Sequence, residues 1–183
     1  EAEIEAARRR SDATADAESE LEMAKQQGRE MVNEARAYRD RIRAVDGVNA
    51  VCVSNWFGGL YKDQRPANFF AQFAVDHENF FDLYPEFRTN PEEILAFKKD
   101  RRGAMVGRNL VDSHGWKVGD VIPVQGTIYP GTWEFVVRGI YEPKDESTIT
   151  RQMYFHWDYL NEQVKKMYPR RAEQVGVFVI QIA

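Results

Sequence analysis

Apolar residues along this chain follow two rhythms, and the change falls near Gly47. Upstream, Ala17, Leu21, Ala24, Gly28, Met31, Ala35, Tyr38, Ile42 and Val45 recur at alternating spacings of four and three. That is a heptad seam over about four repeats, flanked by charged residues. It predicts a long charged helix over 1–46, serving as a coiled coil or stalk. The seam is rich in alanine and decays towards Ala7, Arg10 and Thr14, so this helix gains stability from a partner strand or from the domain that follows.

After Asp46-Gly47 the pattern breaks into short β-branched and aromatic runs. Strands are predicted over 48–54, 68–75, 104–106, 121–124, 132–141, 152–155 and 175–182. Helices are predicted over 77–84, from Pro91 into the basic run 98–102, through Leu110 and Val111, and over 156–168. Asn90 is placed to cap the second of these, with Pro91 at its first position and Glu92 and Glu93 in its first turn. Gly115 closes the third, followed by a turn over 116–120. The fold class is therefore mixed α/β over 47–183, preceded by the long helix. The last strand ends next to Ala183, so the domain reads as truncated at its C-terminal end.

Composition sharpens this division. Of the 183 residues, 43% are hydrophobic and 13% aromatic, enough for a core, and the aromatics lie mostly after Asn55. The net charge of −4, with no broad basic cluster, argues against a nucleic-acid partner. Cys52 is the only cysteine, so no disulfide forms within the chain, and the compartment stays open. Inside a β-branched run it reads as a small core residue. No apolar run approaches the roughly 20 residues that span a bilayer, and no signal peptide is visible. The material reads as soluble, or as a soluble piece of a membrane protein.

The chain carries no HExxH, paired CxxC, GxSxG or phosphate-cradling glycine loop. No catalytic, cofactor-binding or metal-binding set is expected. Of the histidines, His77 lies between Asp76 and Glu78, His114 precedes the capping Gly115, and His156 opens a helix. None has metal-ligand spacing. The run Lys98-Lys99-Asp100-Arg101-Arg102 is explained by the preference of cations for a helix C-terminus. A hydrolase built on two carboxylates stays open, because such sites are defined by separation in the fold. The segment Trp56-Phe57-Gly58-Gly59-Leu60-Tyr61 is either an exposed contact surface or a loop folded onto its own core. Trp56, Phe57, Leu60 and Tyr61 are the candidate partner contacts.

One ordered set of segments points further. Asp40-Arg41-Ile42-Arg43-Ala44-Val45-Asp46-Gly47-Val48 leads into Trp56-Phe57-Gly58-Gly59, then Phe73-Ala74-Val75-Asp76 and Phe80-Phe81-Asp82-Leu83-Tyr84-Pro85. Met105-Val106-Gly107-Arg108-Asn109-Leu110 and Gly115-Trp116-Lys117-Val118-Gly119-Asp120 follow, then Trp133-Glu134-Phe135-Val136-Val137-Arg138-Gly139-Ile140-Tyr141. In this order, 41–183 resembles the extracytoplasmic (periplasmic) core domain of FtsX/MacB-type ABC transporter permeases. The resemblance implies a larger subdomain built from both ends of the domain, with a smaller β-rich insertion between. It implies no catalytic residues, a place outside the bacterial cytoplasmic membrane, and an ABC ATPase subunit as partner through a membrane part. It also implies a relay of ATP-driven motion to an exported substrate or envelope partner protein. The segment 1–40 departs from that family, being too charged to span lipid. It resembles, more weakly, the coiled coils of DivIVA-like cell-division scaffolds, which makes a self-associating scaffold the alternative reading.

Overall fold

The computed structural model describes residues 5, 13–23, 26 and 37–183. Residues 13–23 and 37–43 are helical. Of the seam, Ala17, Leu21, Tyr38, Ile42 and Val45 are among the described residues; Ala24, Gly28, Met31 and Ala35 lie outside them, as does half of the expected helix over 1–46.

From Val48 onwards the chain builds one mixed sheet of nine strands. These are β1 (Val48–Trp56), β2 (Gly59–Leu60), β3 (Ala71–Val75), β4 (Phe87–Arg88), β5 (Gly103–Gly107), β6 (Val121–Gly126), β7 (Gly131–Pro143), β8 (Gln152–His156) and β9 (Val177–Ile182). Three helices accompany them: α1 (Pro91–Lys99), α2 (Arg108–His114) and α3 (Trp157–Met167). The strand order is β2-β6-β7-β5-β8-β3-β1-β9, with β4 on the far end of β7. Pairs β3/β8 and β5/β7 are parallel and the rest antiparallel.

The strands β6 and β7 belong to the same sheet as the others. The reason is the length of β7, whose 13 residues outrun β6. One edge of β7 pairs with β6 over 131–136, while the other takes β5 over 136–141. The β6/β7 hairpin is thereby stitched to the rest by backbone bonds.

Local signals behave as their chemistry dictates. Asn90 Oδ1 accepts the Glu92 N–H at 2.8 Å, and Pro91 opens α1. Gly115 ends α2 in the left-handed region with φ of +72°, where a side chain would be strained. The predicted helix over 77–84 is reduced to one 3-10 turn, Phe80–Asp82. Tertiary packing overrides its helical pattern: Phe80 packs on Tyr154 at 4.9 Å, Phe81 on Phe97 at 5.7 Å, and Tyr84 stacks on Phe87 at 5.2 Å. The strand predicted over 68–75 starts late, at Ala71, because Asn68 belongs to a 3-10 turn and donates to Asp63 Oδ1 at 2.8 Å.

The sheet buries a core on each face. On the first, Phe57, Phe70, Phe135, Phe155 and Trp133 pack with Leu110 of α2 and with Leu160 and Val164 of α3. On the second, Phe80, Phe97, Met105, Tyr141 and Tyr154 pack beneath α1 and the 80–87 segment. Alternate residues of a strand point to opposite faces: Ala104 and Val106 serve the first core, while Met105 serves the second. Two carboxylates pin α1 to β7. Glu93 Oε2 accepts the Ile140 N–H at 2.8 Å, and Asp100 Oδ2 accepts from Arg138 Nε at 2.7 Å.

Candidate contact surface

The same alternation decides the fate of the aromatic loop. Trp56, the last residue of β1, turns to the second face, meets the Phe73 ring edge-on at 5.3 Å and stays 42% exposed. Phe57 turns to the first face and is fully buried. Its ring is edge-on to Trp133, Phe135 and Phe155 and stacks on Tyr129. Gly58 then reverses the chain with φ of +64°, and a Cβ there would lie 2.8 Å from both Ile128 Cδ1 and Trp56 Nε1. The Gly59 N–H donates to the buried Gln72 Oε1 at 2.7 Å. Tyr61 is also buried, and its hydroxyl oxygen accepts from Trp116 Nε1 at 3.2 Å.

The candidate contacts therefore divide. Phe57 and Tyr61 are corrected to core residues, since their rings fill the first face and have no surface to offer. Trp56 and Leu60 remain at the surface. Across Gly58 the fold brings Ile128, 40% exposed, beside Trp56. The Ile128 carbonyl accepts from Arg171 Nη1 at 3.3 Å. That guanidinium lies 5.5 Å from the Tyr129 ring centre and 6.0 Å from that of Tyr168. Trp56, Ile128, Tyr168 and Arg171 thus form a strip, and Trp, Tyr and Arg are residue types enriched at protein interfaces. Ile128 left one trace in the sequence: an exposed isoleucine in the hairpin Gly126–Gly131, where polar turn residues are the rule. Nothing in the sequence ties Tyr168 and Arg171 to Trp56; only the fold does.

The chemistry-bearing side chains are engaged elsewhere. His156 is 2% exposed, and burial, with His77 beside it, pulls its pKa down to about 4. His77 stacks on it and lies 3.2 Å from Glu78 Oε1. His114 packs against Tyr61 and Trp116. Its buried Nε2 has no hydrogen-bond partner, and burial, then Lys62 and Arg151, lower its pKa. Cys52 is a buried core residue whose thiol is pushed up to about 12, by burial first and then by Asp76 and Asp82. Such a thiol is not a nucleophile. In the basic run, Arg101 pairs with Glu162, and Arg102 with Glu134 at 3.4 Å. Among the described residues, no three His, Cys, Asp or Glu side chains gather to hold a metal.

Two clefts border β1 and β3. One, of about 240 Å³, is walled by Asp76, His77, Trp157, Asp158 and Glu173. Asp76 Oδ1 accepts the Glu78 N–H at 3.0 Å, and Glu173 pairs with Lys165. The other, of about 470 Å³, is lined by Phe73, Tyr84, Phe87 and Tyr154, with Ser147 and Thr148 at its rim.

By sequence, no protein family matches the chain, and no curated protein matches it. Solved structures do. The extracellular domain of the noncanonic ABC-type transporter YknZ from Gram-positive bacteria aligns with a TM-score of 0.50 and 14% identity, over 84% of this chain and 71% of that one. The periplasmic region of MacB from Actinobacillus actinomycetemcomitans aligns with a TM-score of 0.50 and 8% identity, over 79% of this chain and 62% of that one. The chain shares the fold of these extracellular and periplasmic domains. A domain of a permease protein from Porphyromonas gingivalis also aligns, with a TM-score of 0.49 and 11% identity, over 78% of this chain and 64% of that one. The chain thus spans between 62% and 71% of the length of these solved domains. The mixed α/β, MacB-like fold expected from the sequence is the one found. No helix among the described residues is long and apolar enough to cross a membrane.

Proposed function

We propose that this chain is a non-catalytic extracytoplasmic domain of a bacterial ABC transporter permease. It relays ATP-driven motion of a membrane part, coupled to an ABC ATPase subunit, to an exported substrate or an envelope partner protein. The observation that carries this reading is the fold shared with the YknZ and MacB domains across about four fifths of the chain. The site chemistry is in keeping with it, because the buried Cys52 is held as the thiol and not the thiolate. Contact with the partner is made by Trp56 and Leu60, extended by Ile128 and Tyr168. The helix over 1–46 acts as a stalk and self-associates.

The test is the full-length protein, purified with its ATPase and reconstituted in lipid. A spin label near Trp56 should change its distance to the membrane surface when ATP replaces ADP. An ATP-independent distance would overturn the relay. Self-association through 1–40, with no ATPase recovered, would favour the scaffold reading instead. Hydrolytic turnover abolished by Asp158→Asn would overturn the non-catalytic reading.

A further inference from the structure

Two histidines far apart in sequence meet where three elements of the second face converge. His156 ends β8 at the start of α3, and His77 lies in the turn after β3. Their rings are stacked, with centroids 4.3 Å apart and planes within 10°. His156 is fixed from a third side. Its Nε2 lies 2.8 Å from the Phe97 carbonyl in the last turn of α1, and the Phe97 ring packs on it at 4.6 Å. A carbonyl only accepts, so Nε2 carries the proton, and in the neutral ring Nδ1 is bare.

The charges around the pair are unevenly placed. His77 faces Glu78 Oε1 at 3.2 Å and Asp158 Oδ2 at 3.7 Å. Lys98 of α1 approaches Glu78 Oε2 at 3.9 Å. Arg39, Asp76 and Glu173 line the cleft that His77 and Asp158 share. On the inner side, His156 feels Asp158 and Asp100, and Asp100 is already held by Arg138 at 2.7 Å. A proton on the outer ring meets two carboxylates. A second, on the inner ring, meets a like charge across the stack with little water between them.

We propose that the stacked pair is a one-proton latch. With at most one ring charged it ties the 76–82 turn to the end of α1 and the start of α3, and a second proton opens the cleft beneath His77. The buried ring resists that proton down to about pH 4, so the latch is shut at neutral pH and releases in acid. This inference stands apart from the relay reading, since it concerns only the folded domain.

Histidine-ring NMR on the whole chain, titrated from about pH 7.5 to about pH 4, tests it, with amide exchange read at each point. The second proton, on the His156 ring, should bind only as the pH nears about 4. As the second titrates, amides over 76–82 and 157–160 should lose at least about tenfold in protection, ahead of the first-face strands. His77→Phe keeps a stacked ring without its charge, and should raise the His156 midpoint by roughly half a unit or more. His156→Phe should remove the acid step over 76–82. Both rings titrating independently above about pH 5 would overturn the latch, as would an unchanged step in His156→Phe. If that variant does not fold, His77→Phe decides alone: an unmoved His156 midpoint sinks the proposal.

Discussion

The two faces of the sheet use the same strands for different ends. The first is covered by α2, α3 and the loop from Phe57 to Phe70, and its large rings interlock edge to face. The second holds Tyr84, Tyr141 and Tyr154, the buried ring of the stacked histidine pair and the 470 Å³ cleft. Its hydroxyls and ring nitrogens find partners on β8, on α1 and on the loop before β8. Tyr141 donates to the Ile149 carbonyl at 3.1 Å, and Tyr154 donates to Gln152 Oε1. The face with the larger interlocked core sets global stability, while the face bordered by the loop links opens locally at lower cost.

Phe57→Ala is the harshest test of that contrast. It empties the centre of the first face and should cost about 3–5 kcal/mol in urea denaturation. A loss below about 1 kcal/mol would mean the first face is not the one that holds the fold.

Acid should act on the other face. His156 has its pKa lowered in the folded state, so the unfolded chain binds the proton more readily. Stability is complete above the unfolded value of about 6.5 and falls as pH drops towards about 4. The half-buried His114, also lowered, adds in the same direction. Denaturation at about pH 7.5 and about pH 4.5 should differ by about 2–3 kcal/mol, and His156→Phe should shrink the gap. A gap of the same size in that variant would place the acid-sensitive group elsewhere.

Smaller effects sharpen the picture. Tyr141→Phe removes one link to the rim of the larger cleft and should cost about 1 kcal/mol. Exchange should rise over 147–152 and stay flat in the first-face strands; a uniform rise would erase the distinction. Trp56→Ala should cost less than about 1 kcal/mol, since the ring is largely at the surface, yet weaken partner capture by the full-length protein. Unchanged capture would remove the strip around Trp56 as the contact.

Much of the fold was legible because local chemistry and tertiary structure agreed. Asn90-Pro91 and Gly115 mark helix ends that form as read, and most predicted strands lie within a residue or two of those found. The aromatic loop was harder. Val51 and Cys52 are both buried, so the alternation along β1 loses its phase, and Trp56 cannot be told from Phe57 by pattern alone. The turn over 77–84 misled for another reason. Its helical spacing is real, but the rings are drawn singly to Tyr154, Phe97 and Phe87. The histidine pair had no sequence signal, because its geometry exists only once β3 and β8 lie side by side in parallel.

The length of β7 has a mechanical meaning as well. At about 3.3 Å per residue, its 13 residues run roughly 40 Å, with β6 and β4 bonded along one edge and β5 along the other. Antiparallel ladder bonds lie across the strand axis, so a pull along that axis loads many of them together. The domain therefore has a grain. Its ladder bonding runs along β7 from 131 to 143 and ties the strands on either side of it together.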